Sequence, residues 1–271
     1  MKPESSVDSA KTNRNRPAHE SGRDHRRAYR FVAVAGGTFF VLTVIAMVAY
    51  PGGSRVDSLS EGYSFFRNTF SDLGHYHGYR PGPKWLSFVL FNGSTAAAGI
   101  ATAVFFITEA RSRLRPGAGL ATRLTAAAAG VLGTVTAMGF IGIGLTPADL
   151  FRVLHFQFVY VAFTLFPFAT TLLLCTETEP LRRNVYAAFL LVLVAYMGLI
   201  YFGPEISTPA GTVIQATGQK VVVYAAIAAV SLISLWNSGV LPRKGKRSAI
   251  ASWFTRRSAR GYTLPHGSTD E

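Results

Sequence analysis

Six long blocks of apolar residues, none of which contains Asp, Glu, Lys or Arg, constrain the fold of this chain more than any other feature. A helix rises about 1.5 Å per residue, so about 20 apolar residues cross the hydrocarbon core of a bilayer, which is roughly 30 Å thick. The blocks do not alternate in polarity as barrel strands do. The sequence therefore predicts an all-α fold, a polytopic membrane bundle of about six transmembrane helices. These helices are expected at residues 31–50, 85–108, 124–145, 153–176, 184–203 and 221–236.

The hydrophilic segments divide the chain into three parts. Residues 1–27 are polar and carry few large apolar side chains, so they are expected to form a disordered tail. Residues 28–241 form the membrane domain, and residues 242–271 form a basic tail. Because the sixth apolar block is short, its helix is expected to begin before Lys220 or to continue to Leu241.

Lys and Arg residues are distributed unevenly between the two sides of the predicted bundle. The two tails and the connectors after the second and fourth blocks hold 21 of them, and the other connectors hold six. Cytoplasmic segments carry the excess of basic residues, so both termini are expected in the cytoplasm, with the protein in the cell membrane. The net charge of +13 then reflects topology and attraction to anionic lipids of the bilayer at the cytoplasmic face, not nucleic-acid binding.

The first connector on the outer side is too long for a simple turn. Ser58 and Glu61 have the spacing of a capping box, and Gly74 fits a helix stop. Between them, apolar residues recur at helical spacing: Leu59, Tyr63, Phe66, Phe70 and Leu73. The pattern predicts an amphipathic interfacial helix over residues 59–73.

The unusual polar residues are predicted on this same outer side. His155 is the third residue of the fourth apolar block, and ionisable residues inside a span usually face a polar interior. Asp149 also fits an N-terminal capping position of the fourth helix, and Lys220 either extends to the interface or forms a buried ion pair. The candidate members of this polar cluster are Asn68, Ser71, Asp72, Asp149, His155 and Lys220.

A metal site would require ligands from separate segments. The weak candidates are His75, His77 and His155, joined by Asp72 or Asp149 and a water in the open position. Helical zinc ligands are usually four residues apart, and this chain has no such histidine pair. The sequence also lacks a nucleotide-binding loop and a nucleophile-elbow motif, so it does not identify a cofactor.

Three short motifs resemble a family of membrane proteins, domain of unknown function 998. They are residues 70–74 (FSDLG), residues 146–149 (TPAD) followed by His155, and residues 218–220 (GQK). The resemblance covers residues 31–237, and it implies a bundle of about six helices with an outward-facing polar cluster. It implies no activity.

A more distant likeness is to Frag1/DRAM/Sfk1-type proteins, which are linked to lipid handling, and to ceramidase-like transmembrane hydrolases, through residues 68–71 (NTFS). That resemblance implies a three-histidine zinc site in the hydrolases, with a pair of histidines on a late helix. This chain departs from it, because no histidine lies between His155 and His266.

Three functions remain open at this point. The outer cluster binds a lipid head group or stabilises the bundle in a multi-pass integral membrane protein of unassigned activity. Alternatively, a metal-dependent lipid hydrolase acts at the outer leaflet, with Asp72 or a metal-bound water as the base and His155 positioning or protonating the substrate. A small transporter would need an ionisable residue near the middle of the membrane or an internal repeat, and neither is found. The oligomeric state is also open.

Overall fold

The fold is an all-helical bundle in a computed structural model that describes residues 16–205 and 207–241. Each of its six long helices has the length and apolar composition needed to cross a membrane, so the prediction of a polytopic bundle is confirmed. The helices are α1 (Arg16–Val48), α2 (Trp85–Arg113), α3 (Leu120–Leu145), α4 (Arg152–Cys175), α5 (Pro180–Phe202) and α6 (Pro209–Ser238).

Helices α1 and α6 extend further than their apolar blocks. The Thr208 hydroxyl accepts a hydrogen bond from the Gly211 amide at 3.0 Å and caps α6, which therefore begins before Lys220 as expected. Helix α1 begins at Arg16, so the expectation of disorder is wrong for residues 16–27. Extending an existing helix costs far less than starting one, and the apolar span supplies the start. Residues 1–15 and the basic tail 242–271 lie outside the described residues.

The six helices form a closed ring. Each helix contacts the next along the chain, and α6 contacts α1. Helices α2 and α3 approach most closely: a Cβ atom added at Gly99 would lie 2.8 Å from the Ile141 backbone nitrogen, and one at Gly144 would lie 2.6 Å from the Asn92 carbonyl oxygen. Glycine at these positions lets the two backbones pack closely.

The connector of residues 49–84 lies at one end of this ring, which we call the connector end. The links α3–α4 and α5–α6 lie at the same end, and the links α2–α3 and α4–α5 lie at the opposite end, because successive spans alternate in direction.

The predicted interfacial helix over residues 59–73 is wrong. The connector is irregular, and its only helical part is a short 3₁₀ turn at Phe70–Gly74. Side chains take backbone hydrogen bonds that a helix would need: Asp57 accepts from the Leu59 amide at 3.0 Å, and Asn68 accepts from the Ser64 amide at 2.9 Å. Such local bonds compete with helix formation. Gly62, with φ of +64°, adopts a conformation that a right-handed helix excludes.

Candidate functional site

The Asp72 carboxylate organises the 3₁₀ turn at the connector end. It accepts hydrogen bonds from the Thr69 amide at 2.9 Å, the Thr69 hydroxyl at 2.6 Å and the Asn68 side-chain amide at 3.1 Å, with the Tyr79 hydroxyl at 3.4 Å. Asp72 is buried. Buried polar groups are normally satisfied in this way, and these contacts are those of a carboxylate that holds a turn together.

Two buried lysines hold the 3₁₀ turn in place, Lys84 at the N-cap position of α2 and Lys220 within α6. The Lys84 ammonium donates to the Asp72 backbone carbonyl at 2.8 Å, and Lys220 of α6 donates to the carbonyls of Asn68 at 2.6 Å and Ala216 at 2.9 Å. Burial lowers the pKa of Lys84 to about 8, although the nearby carboxylates of Asp72 and Asp149 oppose this. Lys220 is fully buried, so it does not extend to the interface.

Asp149 links the α3–α4 segment to the connector instead of capping α4. Its two carboxylate oxygens accept from the backbone amides of Tyr76 at 2.9 Å and His77 at 2.7 Å. The N-cap residue of α4 is Phe151, so the expected capping role is wrong. Burial alone would raise the pKa of the Asp149 carboxyl, but the two amide donors outweigh it, and the pKa lies below its ordinary value of 3.8.

His155 joins the same assembly through Ser71. Its Nδ1 atom lies 2.7 Å from the Thr146 carbonyl oxygen, and its Nε2 atom lies 3.2 Å from the Ser71 hydroxyl oxygen. A carbonyl oxygen only accepts hydrogen bonds, so Nδ1 carries the proton in the neutral ring. The Nε2 atom is then the acceptor, and the Ser71 hydroxyl donates to it.

The other two histidines have different partners. The Nε2 atom of His75 lies 3.8 Å from an Asp72 carboxylate oxygen. Burial lowers the pKa of His75, although Asp72 opposes this. His77 is exposed and reaches Asp149 only through its backbone. The side chains of the described residues contain no group of three or more His, Cys, Asp or Glu that could hold a metal ion, so His75, His77 and His155 are not gathered into a metal centre.

All six candidate residues meet around residues 68–77. Asn68, Ser71 and Asp72 belong to this segment, and the side chains of Asp149, His155 and Lys220 each bond to it. The sequence thus predicts the members of the polar cluster, although it assigns Asp149 a different contact.

An apolar cavity lies inside the ring, directly beside this cluster. All six helices and the 3₁₀ turn line this partly open cavity, which has a volume of about 80 Å³. Phe70 closes part of the connector end, with its ring centroid 5.2 Å from that of Phe91. Two polar residues of the connector end, Ser71 and Gln219, reach the cavity. The Gln219 side-chain oxygen accepts from the Phe70 amide at 3.0 Å.

Sequence reasoning missed a second polar network, at the opposite end. Glu109 of α2 is fully buried. Its carboxylate pairs with Arg113 and with Arg182 at 2.8 Å. It also accepts hydrogen bonds from other helices, donated by Tyr29 at 2.7 Å, Asn237 at 2.7 Å and Tyr186 at 3.1 Å. The only signal in the sequence is Arg113 four residues after Glu109, at the spacing of a helical ion pair.

These features define a class of protein: a multi-pass α-helical membrane protein with a polar cluster at one end of an apolar cavity. Comparison with protein-family models, with characterised proteins and with solved structures finds no match. The resemblances to domain of unknown function 998 and to the Frag1/DRAM/Sfk1-type proteins therefore stay predictions.

Proposed function

We propose that this membrane protein binds a lipid, with the head group at the connector-end polar cluster and an acyl chain in the cavity. The single observation that carries the proposal is the position of the cavity: it is lined mainly by apolar side chains and meets the polar cluster at Ser71 and Gln219. An amphiphile has the same division into a polar and an apolar part. Ligand sites typically have this form, mostly apolar with a few polar groups that set orientation.

The charges around the cluster favour a head group without net charge. The carboxylates of Asp72 and Asp149 are balanced by the ammonium groups of Lys84 and Lys220. Both ammonium groups already donate to backbone carbonyls, and both carboxylates already accept from amide donors. An anionic or cationic head group would therefore meet no unused opposite charge among these four residues. A neutral or zwitterionic lipid fits better.

The proposal includes an orientation in the cell membrane. The connector end faces the outside, and both termini lie in the cytoplasm with the basic tails near anionic lipids. The distribution of Lys and Arg supports this, because 21 of them fall in segments at the opposite end or in the tails. The cluster then lies near the outer leaflet. The described side chains contain no group of three or more His, Cys, Asp or Glu that would favour a metal-dependent hydrolase.

The test places a bulky side chain in the cavity. Ala98 and Ala226 line the cavity from α2 and α6, whereas the neighbouring Ala97 is exposed on the outer surface of α2. The protein in vesicles is irradiated with phosphatidylcholine that carries a diazirine in one acyl chain. We expect crosslinks to cavity-lining peptides, reduced severalfold by Ala98→Phe and by Ala226→Phe and unchanged by Ala97→Phe.

Two variants on different helices guard against a substitution that prevents folding. Thermal unfolding of each purified variant in detergent identifies those that keep their fold. Equal crosslinking of cavity peptides in a folded Ala98→Phe or Ala226→Phe protein and in wild type would contradict lipid binding in the cavity. Crosslinks confined to the outer surfaces of the helices would contradict it equally.

A further inference from the structure

The hydrogen bond between Ser71 and His155 lies beside the cavity, and lipid binding alone does not require it. A hydroxyl that donates to an imidazole nitrogen, whose other nitrogen is fixed by an acceptor, is the arrangement that activates serine nucleophiles. Here the Thr146 carbonyl fixes the ring of His155 at 2.7 Å, and the Ser71 oxygen lies 3.2 Å from Nε2. We propose that Ser71 is a nucleophile and His155 its general base, acting on a carboxylic ester of a long-chain lipid held in the cavity.

Both side chains are held by rigid surroundings. Ser71 belongs to the 3₁₀ turn that Asp72 holds through Thr69 and Asn68, and the neighbouring Phe70 and Leu73 are buried. His155 is buried in the first turn of α4. A nucleophile on a turn and a base on a helix, each fixed by other contacts, keep the reacting geometry without a cofactor.

The position of Ser71 separates this inference from a purely structural hydrogen bond. Ser71 is only partly buried and is one of the residues that line the cavity, whereas a purely structural serine would be enclosed. Gln219 lines the same cavity, and its side-chain oxygen already accepts from the Phe70 amide. Its amide N–H₂ group donates to the Tyr196 hydroxyl, so Gln219 holds the turn against α5 at the edge of the cavity.

The reaction balances with water as the second substrate. The Ser71 oxygen attacks the ester carbonyl carbon while His155 Nε2 takes the hydroxyl proton. The carbon–oxygen bond to the lipid alcohol then breaks, His155 gives its proton to that alcohol, and an acyl ester of Ser71 remains. Water attacks this ester with its proton passing to His155, the Ser71 oxygen leaves with that proton, and the fatty acid is released. No electrons are transferred to or from an outside reagent.

The inference rests on the proposed lipid site, and its test uses a different readout. The full chain in phosphatidylcholine vesicles is treated with a hexadecyl fluorophosphonate, which phosphonylates activated serines with loss of fluoride. We expect one adduct per chain, mapped to Ser71 by mass spectrometry. It should be absent from Ser71→Ala and reduced at least tenfold in His155→Gln. Hydrolysis of a fluorogenic palmitoyl ester should fall in parallel.

Matched controls are available at the same end of the bundle. Ser207 is an exposed serine bonded to Glu205 at 3.0 Å, and the ring of His77 is exposed. Ser207→Ala and His77→Gln should therefore keep the adduct. Ser207→Ala should also keep crosslinking to the diazirine lipid, because Ser207 does not line the cavity.

The outcomes separate the two proposals. Wild-type protein that crosslinks the diazirine lipid in its cavity but gains no phosphonyl adduct would overturn the nucleophile and leave lipid binding intact. An adduct that persists in Ser71→Ala would overturn the nucleophile as well. An adduct at Ser71 without cavity crosslinking would overturn lipid binding and support the activated serine.

Discussion

Asp149 connects parts of the chain that are more than 70 residues apart. Its carboxylate accepts hydrogen bonds from the backbone amides of Tyr76 and His77, which both lie in the connector. The backbone of Asp149 itself belongs to the α3–α4 link. The side chain is exposed, so water competes with these bonds, but two amide donors to one ionised carboxylate still favour the charged form.

Removing this carboxylate should loosen a small part of the connector. In Asp149→Ala, we expect faster hydrogen exchange in peptides that contain Tyr76 and His77, since both amides lose their acceptor. Exchange near Leu59 should stay unchanged. Asp57→Ala is the matched control, because Asp57 accepts from the Leu59 amide and should give the reverse pattern. Hydrogen-exchange mass spectrometry of both variants in detergent makes the measurement.

The pH dependence of this contact follows from the direction of the pKa shift. The folded pKa of Asp149 lies below 3.8, so the stabilisation is fully present above that value and is lost as pH falls through the folded pKa. Between about pH 5 and pH 7 the difference in stability between wild type and Asp149→Ala should therefore stay nearly constant. It should decrease as pH rises through about 8, because Lys84, whose pKa Asp149 raises, then loses its charge. A difference that disappears already at pH 6 would contradict the assigned hydrogen bonds.

At the scale of whole elements, the sequence predicts the six spans because each rests on length and apolar composition alone. The conformation of the connector is harder to predict, because its apolar spacing favours a helix while its local side-chain hydrogen bonds favour turns. The spacing of Leu59, Tyr63 and Phe66 favours a helix, yet the structure leaves Leu59 and Phe66 exposed. Hydrogen bonds between separate parts of the chain hold this segment. The Asn68 side chain donates to the Gly53 carbonyl, and the Asn68 backbone carbonyl accepts from the Lys220 ammonium. No spacing within the connector encodes a partner 152 residues away.

At the opposite end, too, the sequence does not reveal contacts between residues that are far apart in the chain. The pair Glu109–Arg113 is readable from its spacing, but the donors from other helices are not, because they depend on how the ring closes. Four helices contribute to the Glu109 carboxylate: α1 through Tyr29, α2 through Arg113, α5 through Arg182 and Tyr186, and α6 through Asn237. A second carboxylate, Glu177, also pairs with both arginines.

Breaking this network should destabilise the bundle strongly. Glu109→Ala removes the shared acceptor and leaves buried donors from four helices without it, and losing one partner of a buried ion pair typically costs about 3–5 kcal/mol. Glu109→Gln keeps the shape but not the charge, and we expect it to lose most of the same stability. Unfolding in detergent, followed by circular dichroism, measures the effect.

Glu179 provides the control for Glu109. It lies in the α4–α5 link, is exposed, and caps α5 without a side-chain hydrogen bond. Glu179→Ala should therefore change stability by less than about 0.5 kcal/mol. Comparable losses in Glu109→Ala and Glu179→Ala would mean that the buried network does not hold the helices together.

At the scale of the whole molecule, a different polar network holds the helices together at each end of the ring. The Glu109 network draws α1, α2, α5 and α6 together at the opposite end, while at the connector end the helices are joined through the 68–77 segment. The cavity lies between these two anchored ends. A bundle fixed at both ends can keep an apolar cavity between them, which a single close-packed core would not contain.

The orientation of the molecule can be tested with its own single cysteine removed. Cys175 is exposed, so Cys175→Ser gives a background without a native thiol. Ser207→Cys then places a thiol at the connector end, and Thr178→Cys places one at the opposite end; both positions are exposed. In intact spheroplasts, a membrane-impermeant maleimide should label Ser207→Cys at once and Thr178→Cys only after permeabilisation. The physical reason is the excess of Lys and Arg on the side of Thr178, which retains that side in the cytoplasm. Labelling in the reverse order would place the connector end inside the cell and move the proposed lipid site to the inner leaflet.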